Sequence, residues 1–284
     1  MNHSVTPGWP VVLSVAGFDP SSGAGVVADL KTFAAHHCYG VAAVTALTVQ
    51  NTQGVASTHP VSAAVVSESI RSLLSDGCVK AIKIGMLCNQ DIAQVVREIL
   101  GSNPEIPTVL DPVVRSSNDF ELLDAPGVAF LRQQLLPLVT LATPNMSEAA
   151  ALAGLPVDNL EGMRAAARRL VERGARAVVV TGGHLDKAID VFFDGTKLES
   201  FAGDHIRPDN THGTGCTFSS AVAANLALGR QLRDAVVLAK AYVVEAIRHA
   251  FPVGPGRLPL NHLYRMVQPP RVADRSPDVA ETVH

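Results

Sequence analysis

The sequence predicts an α/β domain with a mostly parallel central sheet and helices on both of its faces. Short β-branched runs alternate with longer helical patterns along most of the 284-residue chain, and this alternation is typical of strand–helix–strand units with right-handed crossovers. The strand runs are nearly continuous in Val, Ile, Leu and Ala, as expected of strands covered on both faces. Hydrophobic residues make up 47% of the chain, which is enough for one large core.

The individual elements follow from these runs in chain order. Buried strands are predicted at residues 11–16, 41–49, 81–86, 108–114, 139–143 and 177–181. Helices are predicted between them at residues 24–37, 61–75, 91–100, 128–136 and 160–173. Residues 189–194 and 197–201 are predicted to form a hairpin, because Asp194 and Gly195 between them are a strong turn signal. Two helices rich in Ala and Val are expected to follow, at residues 216–228 and 232–250.

The chain is predicted to be a single domain over residues 1–267, followed by a flexible tail. The segment 268–284 contains Pro, Asp and Arg without hydrophobic periodicity, which is the pattern of a frayed terminus. No repeat or low-complexity segment divides the chain, so we expect one folded unit.

Charge and cysteine content exclude several classes of function. The formal net charge is −3 and no basic stripe is present, so nucleic acid is not an expected partner. No apolar run reaches the length of a membrane helix, and residues 1–10 lack the pattern of an export signal. The 4 cysteines are irregularly spaced without a C-x-x-C pair, which is unlike a zinc site or a disulfide framework. We therefore expect a cytoplasmic protein with reduced thiols and no membrane partner.

The stretch from Asn210 to Cys216 predicts an anion-binding site. Gly213 and Gly215 allow the backbone to bend so that successive N–H groups point at one spot, and the helix that follows adds the positive end of its dipole. Such a site suits a phosphate or a phosphoryl group in transfer. Because Cys216 begins the helix, we expect a lowered thiol pKa and a thiolate that can accept a proton from a substrate hydroxyl. By itself, this pattern also fits a helix start with an inert cysteine.

A second glycine-rich stretch, residues 16–25, follows the first predicted strand directly. Gly17, Gly23 and Gly25 do not match G-x-G-x-x-G, and Asp19-Pro20 interrupts the turn that a dinucleotide site requires. A nicotinamide site is therefore not favoured.

Taken together, eight short segments resemble the hydroxymethylpyrimidine/phosphomethylpyrimidine kinases of thiamin biosynthesis. The resemblance covers about residues 11–250 and implies a ribokinase-like three-layer sandwich, ATP and Mg²⁺ as cofactors, a small-molecule pyrimidine substrate and a homodimer. The segments that carry it are residues 16–25 (AGFDPSSGAG), 28–32 (ADLKT), 45–52 (TALTVQNT), 83–87 (KIGML), 110–113 (LDPV), 143–148 (TPNMSE), 182–184 (GGH) and 212–216 (HGTGC).

The resemblance implies a substrate pocket formed by Gln50, Asp29, Gly17 and Met86. Gln50 would pair with the aminopyrimidine edge, since an amide offers an acceptor and donors that match a ring nitrogen beside an exocyclic amine. Met86 would supply an adaptable apolar wall.

The resemblance also implies which residues contact ATP and metal. Asn145, Thr181, His212 and Thr214 are expected at the ATP phosphates. Glu148 and Asp111 are expected to organise Mg²⁺, mostly through water, although a Glu in a first helical turn is also an ordinary structural residue. The remaining three residues, Gly213, Gly215 and Cys216, would be the anion hole and the base.

The sequence departs from the family pattern near the phosphates. Thr181 stands where many members carry a lysine, and residues 114–119 lack the usual glycine-containing loop with a further lysine. Arg115 or Lys187 would be the replacement. In the opening loop, Ser22 stands where glycine is often found.

Two alternatives remain at this stage. One is a pyridoxal or pyridoxine kinase, which would share the glycine–cysteine loop and a hydroxymethylated ring. The other is a non-catalytic sensor of the pyrimidine phosphate, which would be consistent with the missing lysine.

Overall fold

The computed structural model of the protein describes residues 8–116, 118–183, 188–203 and 211–266. The predicted tail at residues 268–284 therefore lies outside the described residues, as do His184 and Lys187.

The described residues form a nine-stranded sheet with the strand order β3-β2-β1-β4-β5-β6-β7-β8-β9. Strands β1, β2, β4, β5, β6 and β7 are parallel, while β3 pairs antiparallel with β2, and β8 pairs antiparallel with both β7 and β9. The strands are β1 (Val11–Phe18), β2 (Tyr39–Asn51), β3 (Gly54–Pro60), β4 (Val79–Ile84), β5 (Thr108–Leu110), β6 (Leu141–Ala142), β7 (Val178–Val180), β8 (Ala188–Phe193) and β9 (Leu198–Gly203).

Eight α-helices are present among the described residues. They are α1 (Gly25–Ala35), α2 (Ala63–Ser75), α3 (Gln90–Gly101), α4 (Ala125–Phe130), α5 (Met146–Ala153), α6 (Leu160–Glu172), α7 (Thr214–Ala227) and α8 (Leu232–Arg248). The predicted helix at residues 128–136 is divided: α4 continues as a π-helical turn over Leu131–Leu135 and a 3₁₀ turn over Leu136–Leu138. Pro137 in the 3₁₀ turn has no N–H to donate, so a regular α-helix cannot continue through it.

The helices cover both faces of the sheet and bury two separate apolar clusters. Leu13 and Val15 of β1 belong to one cluster, which also takes side chains from α2, α3, α5 and α6. Val12, directly before Leu13, belongs to the other cluster with side chains from α1, α7 and α8. Successive side chains of a strand point to opposite faces, which explains why a continuous apolar run is needed here. The predicted layered architecture is thereby confirmed.

Four elements were not predicted from the sequence. These are β3, α5 and a small two-stranded parallel ladder of β10 (Thr211–His212) and β11 (Leu258–Pro259). Strand β5 is also shorter than expected, since it ends at Leu110 before Asp111-Pro112. None of the described helices is both long and apolar enough to cross a membrane.

Candidate active site

The carboxyl ends of the parallel strands meet at one edge of the sheet, and α7 begins at this edge. In open α/β sheets, ligands bind outside the carboxyl ends of the strands. The end of β1, the end of β2, the segments after β4, β5, β6 and β7, and the run from β10 into the start of α7 contain the predicted site residues, apart from Asp29, which lies in α1.

Helix α7 begins without a side-chain cap. Gly213 is its N-cap, with φ +85°, and provides no side chain to bond the first-turn amides. The N–H groups of Thr214, Gly215 and Cys216 have no intrahelical partner, as in any first helical turn. A Cβ on Gly213 would lie 1.8 Å from the carbonyl oxygen of Gly23, so only glycine fits. The two glycine-rich loops predicted separately are thus packed against each other, beside an uncapped helix start suited to an anion.

Cys216 lies next to Asp111, but its thiol does not have the lowered pKa expected from the helix dipole. Its side chain hydrogen-bonds Asp111. Burial raises the pKa of the Cys216 thiol well above its ordinary value, Asp111 and Asp29 raise it further, and Lys83 opposes them. The expectation of a thiolate in the ligand-free protein is therefore corrected, because loss of water and two nearby carboxylates outweigh the helix dipole. Gly215 also adjoins Asp111, since its Cβ would lie 3.6 Å from the carboxylate.

Asp29, predicted at the substrate pocket, lies in the core instead. Its side chain and that of Lys83 are both 0% exposed, and Lys83 Nζ lies 2.9 Å from Asp29 Oδ1. The hydroxyl groups of Ser14 and Ser220 donate to the same carboxylate at 2.6 and 2.7 Å. These partners take up both carboxylate oxygens, so Asp29 holds Lys83 in place rather than contacting a ligand. This arrangement corrects the prediction made from the resemblance.

Gln50 at the end of β2 contacts His212, which the sequence had assigned to the ATP phosphates. Gln50 Nε2 lies 2.9 Å from His212 Nε2, and the same ring nitrogen lies 3.0 Å from Asp19 Oδ2. His212 therefore contacts the residue that is expected to pair with the substrate. The imidazole lies over Gly23, whose Cβ would approach it to 2.6 Å. The contacts of His212 are thus with Gln50, Asp19 and Gly23, and its expected place at the ATP phosphates stays a prediction.

Gly17 and Met86 lie side by side, as the predicted pocket requires. A Cβ on Gly17 would lie 2.8 Å from Met86 Sδ. The backbone of Met86 is held by Thr45, whose hydroxyl donates to the Met86 carbonyl oxygen at 2.6 Å. An open depression of about 320 Å³ borders Gln50, between the β2–β3 turn and Asn118.

Asn145 and Glu148 form a reciprocal capping box at the start of α5. The Asn145 side chain accepts from the Glu148 N–H at 3.0 Å, and Glu148 Oε2 accepts from the Asn145 N–H at 2.9 Å. Burial and the charge of Asp111 raise the pKa of Glu148 to about 8. Thr181 lies opposite Asn145 in an isolated parallel bridge. Asn145, Glu148 and Thr181 lie together as expected. Asn145 and Glu148 also cap α5, a structural role that the sequence analysis had left open for Glu148.

Asp111 and Glu148, which the resemblance assigns to Mg²⁺, are both buried, and the charge of Asp111 acts on Glu148. No group of three or more His, Cys, Asp or Glu residues able to hold a metal ion occurs in the part of the chain that is described. A pair of carboxylates is consistent with Mg²⁺, which keeps several of its water ligands.

Sequence reasoning missed Asp19 and Lys83 as site residues. Both had visible signals: Asp19 lies in an Asp-Pro-Ser turn directly after a strand, and Lys83 is a charged residue inside an apolar strand run. Arg115, considered as a replacement for the missing lysine, is exposed and pairs with Asp119 at 3.2 Å. Ser22 has φ +62°, which explains physically why glycine suits this position.

The chain resembles known kinases over most of its length. Residues 19–261 match the family model described as phosphomethylpyrimidine kinase. The chain is 42% identical over 248 residues to the hydroxymethylpyrimidine/phosphomethylpyrimidine kinase of Aquifex aeolicus (strain VF5), an alignment that covers 87% of this chain and 97% of that protein.

Solved structures show the same likeness. The phosphomethylpyrimidine kinase of Clostridium difficile 630 is 34% identical with a TM-score of 0.75, over 84% of this chain and 99% of that one. The pyridoxal kinase of Staphylococcus aureus, solved in complex with AMP-PCP and pyridoxal, is 33% identical with a TM-score of 0.82, over 90% of this chain and 94% of that one. The ribokinase-like fold expected from the sequence is confirmed by these neighbours.

Proposed function

The chain belongs to the phosphomethylpyrimidine kinase family, and from this premise we propose that it phosphorylates 4-amino-5-hydroxymethyl-2-methylpyrimidine with ATP, and then phosphorylates the monophosphate to the diphosphate. The first acceptor is an alcohol and the second is a phosphate. A kinase has little covalent chemistry to perform, so positioning and charge stabilisation supply most of the catalysis.

The observation that carries the proposal is the packing of the two glycine-rich loops. Gly213 fits against Gly23 only because it has no side chain. This contact puts the uncapped start of α7 next to the loop that contains Asp19, and His212 then links that loop to Gln50. A substrate ring held at Gln50 would therefore lie at the same edge of the sheet as the anion-binding amides of α7.

Cys216 is the residue we propose as the base for the alcohol. The hydroxymethyl oxygen must lose its proton as it attacks phosphorus, and the thiol lies at the helix start where the transferring group would be bound. Lys83 supports the thiolate, since it lowers the pKa of Cys216 against the opposing effects of burial and the two carboxylates. In the second step the acceptor is already largely ionised at pH 7, because its second pKa is about 6.

The phosphates of ATP are proposed to lie against Asn145, Thr181 and Thr214, as well as the amides of Gly213, Gly215 and Cys216. Asp111 and Glu148 would hold Mg²⁺, which would neutralise phosphate charge when bound. Their carboxyl groups fit a cation: both are buried, and the charge of Asp111 raises the pKa of Glu148.

The decisive experiment is a kinase assay with the pyrimidine alcohol, ATP and Mg²⁺, in which mono- and diphosphate products are separated. We expect both products, with the diphosphate appearing after a lag. Absence of any phosphorylated pyrimidine would contradict the proposal, and monophosphate alone would restrict it to the first step.

A pyridoxine kinase is the second candidate, and the likeness to the pyridoxal kinase of Staphylococcus aureus favours it. The two candidates differ in kcat/KM for the pyrimidine and for pyridoxine, measured side by side. A non-catalytic sensor is the third reading, and ATP turnover that depends on the pyrimidine would exclude it.

We also propose that the protein is a cytoplasmic homodimer. The four cysteines are free, which suits a reducing compartment.

Leu47 and Val49 on β2 are 52% and 53% exposed, and as alternate residues of a strand they share one face. Burying this face between two copies would remove apolar surface from water. Sedimentation analysis of wild type and of Leu47→Glu tests the proposal: a dimer that Leu47→Glu converts to monomer is expected.

A further inference from the structure

Three side chains from distant parts of the sequence form a continuous hydrogen-bonded chain beside the substrate site. His212 Nε2 lies 2.9 Å from the Gln50 amide and 3.0 Å from Asp19 Oδ2. Gln50 is the next-to-last residue of β2, Asp19 lies in the loop after β1, and His212 belongs to β10. In the function proposed above, Gln50 is the only one of the three that is assigned a contact with the substrate.

The imidazole of His212 is held from several sides. Its side chain is 16% exposed. The backbone of β10 pairs with β11, with His212 opposite Pro259. A Cβ on Gly23 would lie 2.6 Å from the imidazole Cδ2, so the opening loop fits closely against the ring. A ring held in this way can fix the orientation of a flexible neighbour.

Asp19 determines which ring nitrogen of His212 carries the proton. Its side chain is 4% exposed and accepts three other hydrogen bonds, from the Ser21 N–H at 2.8 Å, the Ser21 hydroxyl at 2.7 Å and the Ala24 N–H at 2.9 Å. Burial acts to raise the pKa of Asp19, but the hydrogen bonds from His212 and Ser21 outweigh it and lower the pKa. Asp19 is therefore an ionised acceptor, and the nitrogen that faces it carries a hydrogen.

The protonated Nε2 of His212 then restricts the amide of Gln50. A half rotation of the Gln50 amide about the bond that carries it exchanges the positions of its oxygen and nitrogen and leaves the shape of the side chain nearly unchanged. With Gln50 Nε2 toward His212, two N–H donors face each other, whereas the half-rotated amide places its oxygen there as an acceptor. Thr48 Oγ1 lies 3.0 Å from the Phe18 carbonyl oxygen and 3.2 Å from the Gln50 amide, and its rotatable hydroxyl can pair with either orientation of that amide.

We propose that His212, held by Asp19, fixes the amide orientation of Gln50 and thereby acts as a specificity-determining residue for an aminopyrimidine ring. The inference rests on the proposed function, in which Gln50 pairs with the ring edge. A fixed amide presents one N–H and one lone pair in a set order, which matches a ring nitrogen beside an exocyclic amine. A hydroxylated pyridine has no ring nitrogen beside an exocyclic amine. Its hydroxyl group can donate or accept, so it can pair with either orientation of the Gln50 amide.

The test measures dissociation constants by calorimetry for the pyrimidine alcohol and for pyridoxine. His212→Leu is expected to weaken binding of the pyrimidine about tenfold to a hundredfold, the range for a mispaired buried hydrogen bond, and to change pyridoxine binding by less than about threefold. In turnover, KM for the pyrimidine should rise while kcat changes little. His212→Gln keeps an N–H donor near the position of Nε2 and should retain most of the selectivity. His59→Leu is the matched control, because His59 is exposed on β3.

Equal loss for both rings in a folded His212→Leu protein would show a structural role and overturn the inference. If His212→Leu does not fold, Asp19→Asn provides the second variant, and unchanged selectivity there would also overturn it. The ¹⁵N shifts of the His212 ring give a readout without substrate: protonation of Nε2 is expected, and a proton on Nδ1 alone contradicts the inference. Selective binding of the pyrimidine without phosphorylation would contradict the proposed function and leave the inference intact.

Discussion

Cys216 is surrounded by groups that control its proton. Burial, Asp111 and Asp29 raise the pKa of its thiol, and Lys83 alone among the named charges lowers it. Since the thiolate is a minor species in the ligand-free protein at neutral pH, the rate of any step that needs it depends on pH. The alcohol step requires a base, whereas the monophosphate acceptor is already ionised.

Cys216→Ala is therefore expected to separate the two steps. Phosphorylation of the alcohol should fall by about 10²–10⁴-fold, the usual contribution of a general base, and phosphorylation of the monophosphate by much less. In wild type, kcat for the alcohol should rise with pH above neutrality, because deprotonation of a thiol with a raised pKa increases there. Rates for each acceptor at several pH values check both points. Cys78→Ala, at an exposed thiol, is the control, and an equal loss in both steps would remove Cys216 as the base.

The buried ion pair of Asp29 and Lys83 makes a second prediction at this scale. Asp29→Asn leaves a cation without its partner in a site that is 0% exposed, so we expect a loss of about 3–5 kcal/mol in the free energy of unfolding. Urea denaturation measures the loss. Asp29→Asn combined with Lys83→Met should be less destabilising than the sum of the single changes, because neither charge is then left alone.

The matched control for the buried pair is the surface pair Arg233–Glu199, joined at 2.7 Å. Glu199→Gln should change stability little, since exposed ion pairs are weak. Equal effects of Asp29→Asn and Glu199→Gln would argue against a structural role for the buried pair.

Helix α7 is the element on which the candidate site depends, and the segment that follows α8 hydrogen-bonds its first turns. His262 Nε2 lies 3.1 Å from Thr217 Oγ1, in the first turns of α7, and Thr217 Oγ1 in turn donates to the Gly213 carbonyl at 2.8 Å. Tyr242 of α8 donates to the His262 carbonyl at 2.5 Å. The segment after α8 therefore supports the loop that contains the predicted anion hole.

Burial lowers the pKa of His262 to about 4 from 6.5, which links the stability of this element to pH. The folded protein binds the proton more weakly than the unfolded chain, so the stabilisation is complete above about pH 6.5 and decreases as the pH falls toward 4. The full loss corresponds to about 3 kcal/mol. Free energies of unfolding for wild type and His262→Gln between pH 7.5 and 4 should converge or cross as the pH falls, and a constant difference would contradict the lowered pKa.

At the scale of the whole molecule, residues 268–284 lack hydrophobic periodicity, so we predict that they do not contribute to the folded domain. A chain that ends at Met266 is therefore expected to keep its melting temperature within about 2 °C, which is no more than the shift that 1 kcal/mol causes in a domain of this size, and to keep its kinase activity. Thermal denaturation and the two-step assay check this prediction. A large loss of either would show that residues 267–284 contribute to the fold or the site, and would contradict the predicted tail.

The sequence by itself determined the layered α/β class, the order of the central elements and the kinase family. Those properties depend on local sequence patterns. Continuous apolar runs indicate strands covered on both faces, and glycines indicate the loops that follow these strands. It did not indicate β3, α5 or the β10–β11 ladder, because short elements have too few residues for a periodic signal, and their pairing energy comes from distant partners.

Only the tertiary structure decided the roles of individual polar residues. Asp29 and His212 each had a plausible ligand-binding role in the sequence. Their partners, Lys83 and Ser220 for one and Asp19 and Gln50 for the other, are far apart along the chain, so no local pattern shows which charges meet. The pKa of Cys216 changed direction for the same reason, since burial and neighbouring carboxylates act through space and the dipole of its own helix is only one of the effects.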